Sequence, residues 1–280
     1  MTRNRRFHLF SDKQLSVGLF GAAVLLFLFI GAPLITSVDP RYFGAYMLSA
    51  PGENGHILGS TQLGQDVYTM IVFGARTSLM VALGASLLSS LFGVIVGGIG
   101  GFFGGGVDRI IREIINAFMM LPHLFLILLI VAFFGNNMFN IMIAIAIATW
   151  PSNAMLMRAQ ALSIKERTYV HAGEAIGESK LQILVRYIIP NGIFPVIANT
   201  TAHIGQAILA EAGLAFLGLG DPTVISWGQM IQAGRPLITS AWWVTVFPGL
   251  AIVFTVMTFF LLGDGLSHLF NPKQTAGGDH

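Results

Sequence analysis

Cysteine is absent from the 280 residues, so neither a disulfide framework nor a thiolate metal site can form. Charged residues make up only 10% of the chain, whereas a surface that faces water is usually about 25–35% charged. The chain also lacks a Gly-x-x-x-x-Gly-Lys-Ser/Thr phosphate loop, a His-Glu-x-x-His motif and a Gly-x-Ser-x-Gly turn. These absences argue against catalysis, and no catalytic, cofactor-binding or metal-binding residue is assigned.

Long apolar runs take the place of the missing charges, and hydrophobic residues reach 54% of the chain. A bilayer span needs about 20 mostly apolar residues. Six windows meet that length and predict an all-α membrane protein with six transmembrane helices: Leu15–Ile35, Thr77–Phe103, Ile114–Phe134, Met138–Met157, Phe194–Leu217 and Trp242–Leu262. The first run is too long for a signal peptide, so it is predicted to be a retained span.

The positive charges predict the orientation. With the N-terminus in the cytoplasm, twelve Lys and Arg residues fall in inner segments and three in outer ones, which accounts for all 15. We therefore expect cytoplasmic segments at 1–14 and 268–280, an external loop at 36–76, and a five-span core at 77–267. The basic balance reflects membrane topology and does not indicate a nucleic-acid partner.

A polar stretch, which we call the connector (residues 165–180), separates the fourth and fifth spans. Apolar residues recur there at three- and four-residue steps, as at Tyr169, Ala172 and Ile176, and the pattern predicts an amphipathic helix that breaks near Gly177. The apolar face of such a helix must dock on another surface; a solvated charged loop with no partner is the alternative. Because it lies between two spans, a partner that grips it can move both.

The fifth span carries polar residues that are unusual in lipid. Asn199, His203 and Gln206 follow four- and three-residue steps, and Glu211 lies near the outer end. An acid at the centre of a span costs about 2.5–3.5 kcal/mol on insertion scales, so these side chains should face the bundle interior or a water-filled cavity. They form a candidate translocation path. Interhelical hydrogen bonding is the alternative; it is favoured for each stripe residue taken alone and stays equally open for Glu211.

The loop before the third span is charged, and the two outer loops are unusually long. Asp108 lies with basic neighbours in the short inner loop before the third span, and local ion pairs are expected there. The outer loops at 39–76 and 218–241 are too long to be simple turns. They are candidates for docking an external protein or for shaping a cavity mouth. A passive cap over the helices is an equally open interpretation of the first loop.

The connector resembles the cytoplasmic loop of bacterial ABC importer permeases. That pattern has Glu-Ala-Ala, three residues, Gly, nine residues, a hydrophobic residue, one residue, an aliphatic residue and Pro. Gly177 and Pro190 have the required separation, which places the triplet on His171, Ala172 and Gly173. The chain thus departs from the pattern at the first and third positions, and a contact made through a Glu is not expected.

Most of the chain after the first span resembles the second permease subunit of dipeptide, oligopeptide and nickel importers. The residues that carry this resemblance are His56 to Asp66, Gly74 to Leu79, Val107 to Arg109, Leu121-Pro122, Trp150, Leu214 to Gly220, Trp227-Gly228, Trp242-Trp243, Pro248-Gly249 and Gly263 to Gly265. The resemblance implies a type I ABC importer permease fold in the cytoplasmic (inner) membrane of a bacterium or archaeon.

The same resemblance implies the partners. These are a second homologous permease, two cytoplasmic ATPase subunits that bind ATP and Mg, and an extracytoplasmic substrate-binding protein. The implied contacts of the connector with an ATPase are Arg167, Tyr169, His171, Ala172, Gly173, Gly177 and Lys180. Dipeptides, longer peptides, metal chelates and sugars all stay open as substrates. The alternative function is a self-sufficient channel or a membrane-embedded enzyme, for which only scattered polar residues are present.

Overall fold

The computed structural model describes residues 13–270, so most of the predicted cytoplasmic segments 1–14 and 268–280 lies outside it. Ten α-helices and no β-strand form within that range. In chain order they are α1 (Lys13–Ile35), α2 (Val67–Phe103), α3 (Gly105–Met119), α4 (His123–Phe134), α5 (Met138–Ile164), α6 (Thr168–Ala175), α7 (Lys180–Ile183), α8 (Ile189–Phe216), α9 (Trp227–Gly234) and α10 (Trp243–Phe270).

The number of spans depends on one bent pair of helices. Within residues 13–270, five helical segments are long and apolar enough to cross a membrane, and α3 with α4 makes a sixth if the pair counts as one span. The two helices meet at 88°, so the predicted third span Ile114–Phe134 is sharply broken rather than a single straight helix. Pro122 disfavours helical backbone at Leu121 and itself supplies no N–H, and the helix restarts at His123.

Helix boundaries also differ from the hydropathy windows, because hydropathy marks where a helix enters lipid rather than where the helix ends. α2 begins at Val67, where the Asp66 carboxylate accepts a hydrogen bond from the Thr69 backbone N–H. α5 continues past Met157 to Ile164. The fifth span begins at Lys180, which therefore belongs to this long helical segment and not to the connector helix.

The fifth span contains a π-helical turn at Leu184–Ile188 between α7 and α8. The turn ends two residues before Pro190, which has no N–H to donate to the carbonyl of Arg186. Such single π turns occur as bulges inside longer α-helices. α7, the π turn and α8 consequently run as one segment from Lys180 to Phe216.

Glycines set the closest helix contact in the molecule, between α2 and α5. A Cβ added at Gly93 would lie 2.6 Å from the Asn153 Cβ, one at Gly97 would lie 2.2 Å from the Ala154 carbonyl oxygen, and one at Gly101 would lie 2.4 Å from the Arg158 carbonyl oxygen. These four-residue steps place three glycines on one helix face. We call this contact the glycine seam. It lets the two backbones touch, as small residues do in membrane helix pairs.

α1 is attached to the last span through a second set of small residues. A Cβ at Gly18 would lie 2.8 Å from the Leu262 backbone nitrogen, and one at Gly265 would lie 2.7 Å from the Leu15 Cβ. The first span therefore packs mainly on α10, and its Leu15 and Leu25 are buried in the main core cluster.

A bidentate ion pair holds α3 against α5. The Arg158 guanidinium donates from Nε and Nη2 to the two carboxylate oxygens of Asp108, at 2.5 and 2.7 Å. Both side chains are mostly buried. Asp108 thus pairs with a residue of a distant helix, and the expectation of local ion pairs is wrong for this residue.

Candidate connector and translocation path

The connector folds as one short helix with a defined stop. α6 ends at Ala175, and Gly177 adopts a left-handed φ of +84°. The Gly177 N–H donates to the Glu174 carbonyl at 3.0 Å and the Glu178 N–H to the Gly173 carbonyl at 3.1 Å. This pair of bonds is a Schellman motif, which a glycine closes without steric penalty. The predicted helix break at Gly177 is confirmed.

The next helix starts two residues later with its own cap. The Ser179 hydroxyl accepts a bond from the Gln182 N–H, and the Gln182 side chain accepts one from the Ser179 N–H. This reciprocal arrangement is a capping box. The C-terminal motif of α6 is followed directly by the N-terminal cap of α7. The backbone between α5 and the long segment that contains α8 is therefore fixed by hydrogen bonds.

One face of the connector is buried on the protein's own core. Val170 and Ile183 are 1% exposed and pack in a cluster with Met157, Ile164 and Ile188 from both flanking spans. Gly173 is buried beside Tyr187, and a Cβ there would lie 3.2 Å from that ring. Arg186 and Tyr187 both donate hydrogen bonds to the Glu178 carboxylate, at 2.8 and 3.2 Å. The connector is therefore packed on the two helix ends that it joins, the end of α5 and the start of the fifth span.

The other face points outward and carries most of the residues that the resemblance assigned to a partner contact. Ile176 is 76% exposed and Leu181 is 66% exposed. The His171 ring and the Glu174 carboxylate lie 3.3 Å apart on the same exposed surface. Arg167, Tyr169, Ala172, Gly177 and Lys180 are also exposed, and Gly173 alone of the assigned residues is buried.

The four candidate path residues do not share one environment. Asn199 donates to Asn153 Oδ1 at 2.9 Å and to the Ser152 hydroxyl at 3.3 Å. Gln206 is exposed on the outside of α8. His203 is half-buried, and its buried Nδ1 has no hydrogen-bond partner among residues 13–270. Whether these residues line a path stays a prediction.

Glu211 lies at a joint between three helices. It is 5% exposed. The Ser78 hydroxyl of α2 donates to its carboxylate at 3.3 Å. The Trp227 N–H in turn donates to the Ser78 hydroxyl at 3.3 Å. This geometry is that of a packing contact between α8, α2 and α9, which was one of the two open interpretations.

Sequence reasoning missed Asn153 as a candidate, although it is fully buried. An amide two residues after Pro151 in an apolar run was the available signal, because a polar side chain in lipid requires a partner. The Asp108–Arg158 pair left no such signal, since the two residues lie 50 positions apart. In the described part of the chain, no group of three or more His, Cys, Asp and Glu side chains is arranged to hold a metal ion.

At the end of α5 that lies away from the connector, Asp221 fastens the loop after α8 to the start of α5. Its carboxylate accepts bonds from the Met138 N–H at 2.8 Å, the Thr223 N–H at 2.8 Å and the Thr223 hydroxyl at 2.6 Å. Burial alone raises the pKa of Asp221, but these hydrogen bonds outweigh burial and hold the pKa below its usual value of 3.8. Arg41 of the first external loop donates to the Thr223 carbonyl beside it.

This geometry predicts that Asp221→Asn destabilises the protein by about 1.5–3 kcal/mol at pH 7, the range for hydrogen bonds to a charged group. Because the folded-state pKa is depressed, the carboxylate's contribution is fully present above 3.8 and is lost as the pH falls through the folded pKa. Thermal unfolding in detergent at several pH values checks this. Asp39→Asn, which changes an exposed external carboxylate, is the control, and an equal loss in both variants would contradict the assignment.

The fold and the connector together define a class. Two long spans joined by a short, partly exposed helix, in a chain without a nucleotide-binding loop, are the architecture of an ABC importer permease. The family model for the binding-protein-dependent transport system inner membrane component matches residues 89–276, and the chain belongs to this family. It is a permease subunit of an ABC importer and an inner membrane component.

Curated relatives cover almost the whole chain. The dipeptide transport system permease protein DppC of Bacillus subtilis (strain 168) is 35% identical over 266 residues, which span 93% of this chain and 83% of that protein. The probable D,D-dipeptide transport system permease protein DdpC of Escherichia coli (strain K12) is 34% identical over 257 residues, which span 91% and 85%.

Solved structures agree on the fold. The MetNI methionine ABC transporter in inward-facing conformations matches with a TM-score of 0.59 at 18% identity, over 72% of this chain and 96% of the matched one. An amino acid ABC transporter solved with histidines matches with a TM-score of 0.51 at 15% identity, over 75% and 94%. The predicted type I importer permease fold is confirmed.

Proposed function

We propose that this permease carries peptides, and that it forms one half of a path completed by a second, homologous permease. The peptide assignment is supported by the names of the curated relatives, which are dipeptide and D,D-dipeptide transport system permeases. A second permease is needed because six spans of one chain line only half of a central path. An external binding protein delivers the peptide, and its identity selects among dipeptides and longer peptides.

The connector carries the proposal for energy coupling. Its inner face is built into a cluster with α5 and the fifth span, and its outer face presents Ile176 and Leu181 to a partner. A cytoplasmic ATPase subunit holds this outer face in a groove. When two ATPase subunits close on ATP and Mg, they displace the connector. The two attached spans follow, so the central cavity opens alternately to each side.

The outer surface has a cleft suited to a binding protein. It has a volume of about 550 Å³ and lies between the first external loop and the loop before α9. Its lining includes Arg41, Phe43, Gln65, Pro222 and Gln229. The proposed orientation, with both termini and the connector in the cytoplasm, places this cleft on the external side.

The first test strains the backbone of the connector at Gly177 without altering any side-chain contact. Gly177 has a left-handed φ, and no atom lies within 4 Å of an added Cβ. Gly177→Val introduces strain of roughly 1–2 kcal/mol, which corresponds to about five- to thirtyfold fewer connectors in the docking geometry. We expect peptide uptake per ATP hydrolysed to fall accordingly in proteoliposomes that contain the complete importer.

Gly177→Asn is the matched control, because Asn adopts the left-handed conformation readily. It should retain coupling close to that of the unmodified importer. Normal uptake by Gly177→Val, with correct insertion, would contradict the role of the connector.

The second test changes the surface and leaves the fold alone. Ile176→Glu places a charge on the exposed apolar face, and we expect ATPase subunits to be lost when the complex is purified in detergent. Ile57→Glu, at a site 66% exposed in the external loop, should leave the ATPase bound. Uptake that proceeds in liposomes without any ATPase would favour a self-sufficient channel instead.

A further inference from the structure

A buried polar junction joins α2, α5 and α8 at the level of Asn153. The Asn153 side-chain oxygen accepts hydrogen bonds from Asn199 Nδ2 at 2.9 Å and from the Thr200 hydroxyl at 3.3 Å, both on α8. Its Nδ2 donates to the Ser89 hydroxyl of α2 at 3.2 Å. The side chain is 0% exposed. The amide therefore bridges two helices through opposite ends, which an apolar side chain cannot do.

Asn153 also lies within the glycine seam, because its Cβ is the atom that a Cβ at Gly93 would meet at 2.6 Å. Its backbone is thereby held against α2. Because α5 is already held against α2, the hydrogen bonds from Asn199 and Thr200 to the Asn153 side-chain oxygen serve to fix the position of α8. The burial of Asn153 excludes direct contact with a solute in this conformation.

α5 and the fifth span are the two helices that leave the connector. Near the connector they are already attached through Met157, Ile164 and Gly192. A displacement of the connector that acts only on these inner ends would splay the two helices farther along. The Asn153 junction lies farther along both helices and prevents this separation.

We propose that Asn153 is a positioning residue that fastens α8 to α5, so that the two helices flanking the connector move as one body during transport. This inference rests on the proposed role of the connector as the point where the ATPase acts. It assigns to Asn153 and Asn199 a mechanical function, in place of the path-lining function that the sequence suggested for Asn199.

The first experiment asks whether α5 and α8 move relative to each other. A Cβ at Gly192 would lie 3.1 Å from the Gln160 Cβ, close to the roughly 3.5–4.5 Å found in disulfides. The variant Gln160→Cys with Gly192→Cys would contain the chain's only cysteines, since the natural chain has none. We expect the oxidised importer to transport as well as the reduced one. Loss of uptake on oxidation, restored by reductant, would overturn the proposal.

The second experiment removes the amide. Asn153→Ala should lower uptake per ATP hydrolysed by about three- to tenfold, as expected for one or two interhelical hydrogen bonds in a membrane, while ATP hydrolysis continues. In the same chain, oxidation of the Gln160→Cys and Gly192→Cys pair should leave coupling low, because the disulfide fastens only the inner ends, which are already attached through Met157, Ile164 and Gly192. Normal coupling in Asn153→Ala, or coupling that this inner disulfide restores, would overturn the proposal.

Asn199→Ala is the second variant if Asn153→Ala fails to assemble, because it removes the partner from α8 and leaves the seam intact. The same loss of coupling is expected, and its absence counts equally against the proposal. Gly177→Val separates this inference from the proposed function. If Gly177→Val is uncoupled but Asn153→Ala and Asn199→Ala transport normally, the role of the connector is supported and that of the junction is refuted. If Gly177→Val transports normally, the role of the connector is itself refuted.

Discussion

Gly97→Ala is expected to prevent α2 and α5 from reaching their native separation. The added Cβ would lie 2.2 Å from the Ala154 carbonyl oxygen and 3.0 Å from the Ala154 Cα, and both are backbone atoms that no rotamer change can move. The helices must part by more than 1 Å, and the contacts of Gly93 and Gly101 weaken with them. Overpacking of a well-packed core costs about 1–3 kcal/mol and sometimes more, and we expect the upper end of that range here.

Gly98→Ala is a close control because it changes the next residue of the same helix. A Cβ at Gly98 has its nearest neighbour at 3.7 Å, an ordinary contact. Both substitutions improve helix propensity by about 1 kcal/mol, so the difference between them isolates the seam. The measurement is the yield of monodisperse protein in detergent and its thermal unfolding temperature. Equal stability of the two variants would contradict the close backbone approach.

The second large effect is expected at Trp227. Its side chain is 1% exposed and belongs to the main core cluster. The indole Nε1 donates to the Ile71 carbonyl of α2 at 2.9 Å, and the ring lies against Gly74. Trp227→Ala leaves a cavity at the contact between α9 and α2, and such changes cost about 3–5 kcal/mol. The thermal unfolding temperature in detergent should fall correspondingly.

Trp242 provides the matched control, because the same substitution is made at an exposed tryptophan. It is a tryptophan at the external end of the protein with 47% of its side chain exposed, so Trp242→Ala should cost far less. Trp227→Phe keeps most of the ring and removes the indole donor, for an expected loss of about 1 kcal/mol. If Trp242→Ala proved as damaging as Trp227→Ala, the anchoring of α9 by Trp227 would be refuted.

The connector shows how far a sequence pattern reaches. The three- and four-residue apolar steps and Gly177 predicted a short amphipathic helix with a break, and α6 with its Schellman motif matches this. The same pattern did not reveal which apolar residues face inward. Val170 and Ile183 are buried, whereas Ile176 and Leu181 are exposed, because the two flanking spans decide which side of the connector they cover.

The candidate path shows the opposite case. The polar side chains of Asn199 and Glu211 indicated that these positions face hydrogen-bond partners or water, since lipid offers no hydrogen-bond partners. Their bonds to Asn153 and Ser78 follow from the rotation and depth of separate helices. Neither the rotation nor the depth of a helix can be read from the residues of that helix alone.

The sequence alone thus determined that the chain is a helical membrane protein, roughly where its spans lie, and where a water-exposed helix interrupts them. Each of these properties depends on the composition of a contiguous stretch. Only the tertiary structure decided that α3 and α4 meet at 88°, that Asp108 pairs with Arg158, and that Glu211 bonds Ser78 across 133 positions. Contacts of this kind depend on how closely and at what angle the helices pack. The glycine seam sets the separation of α2 and α5, because any larger side chain there would clash with the backbone of the facing helix.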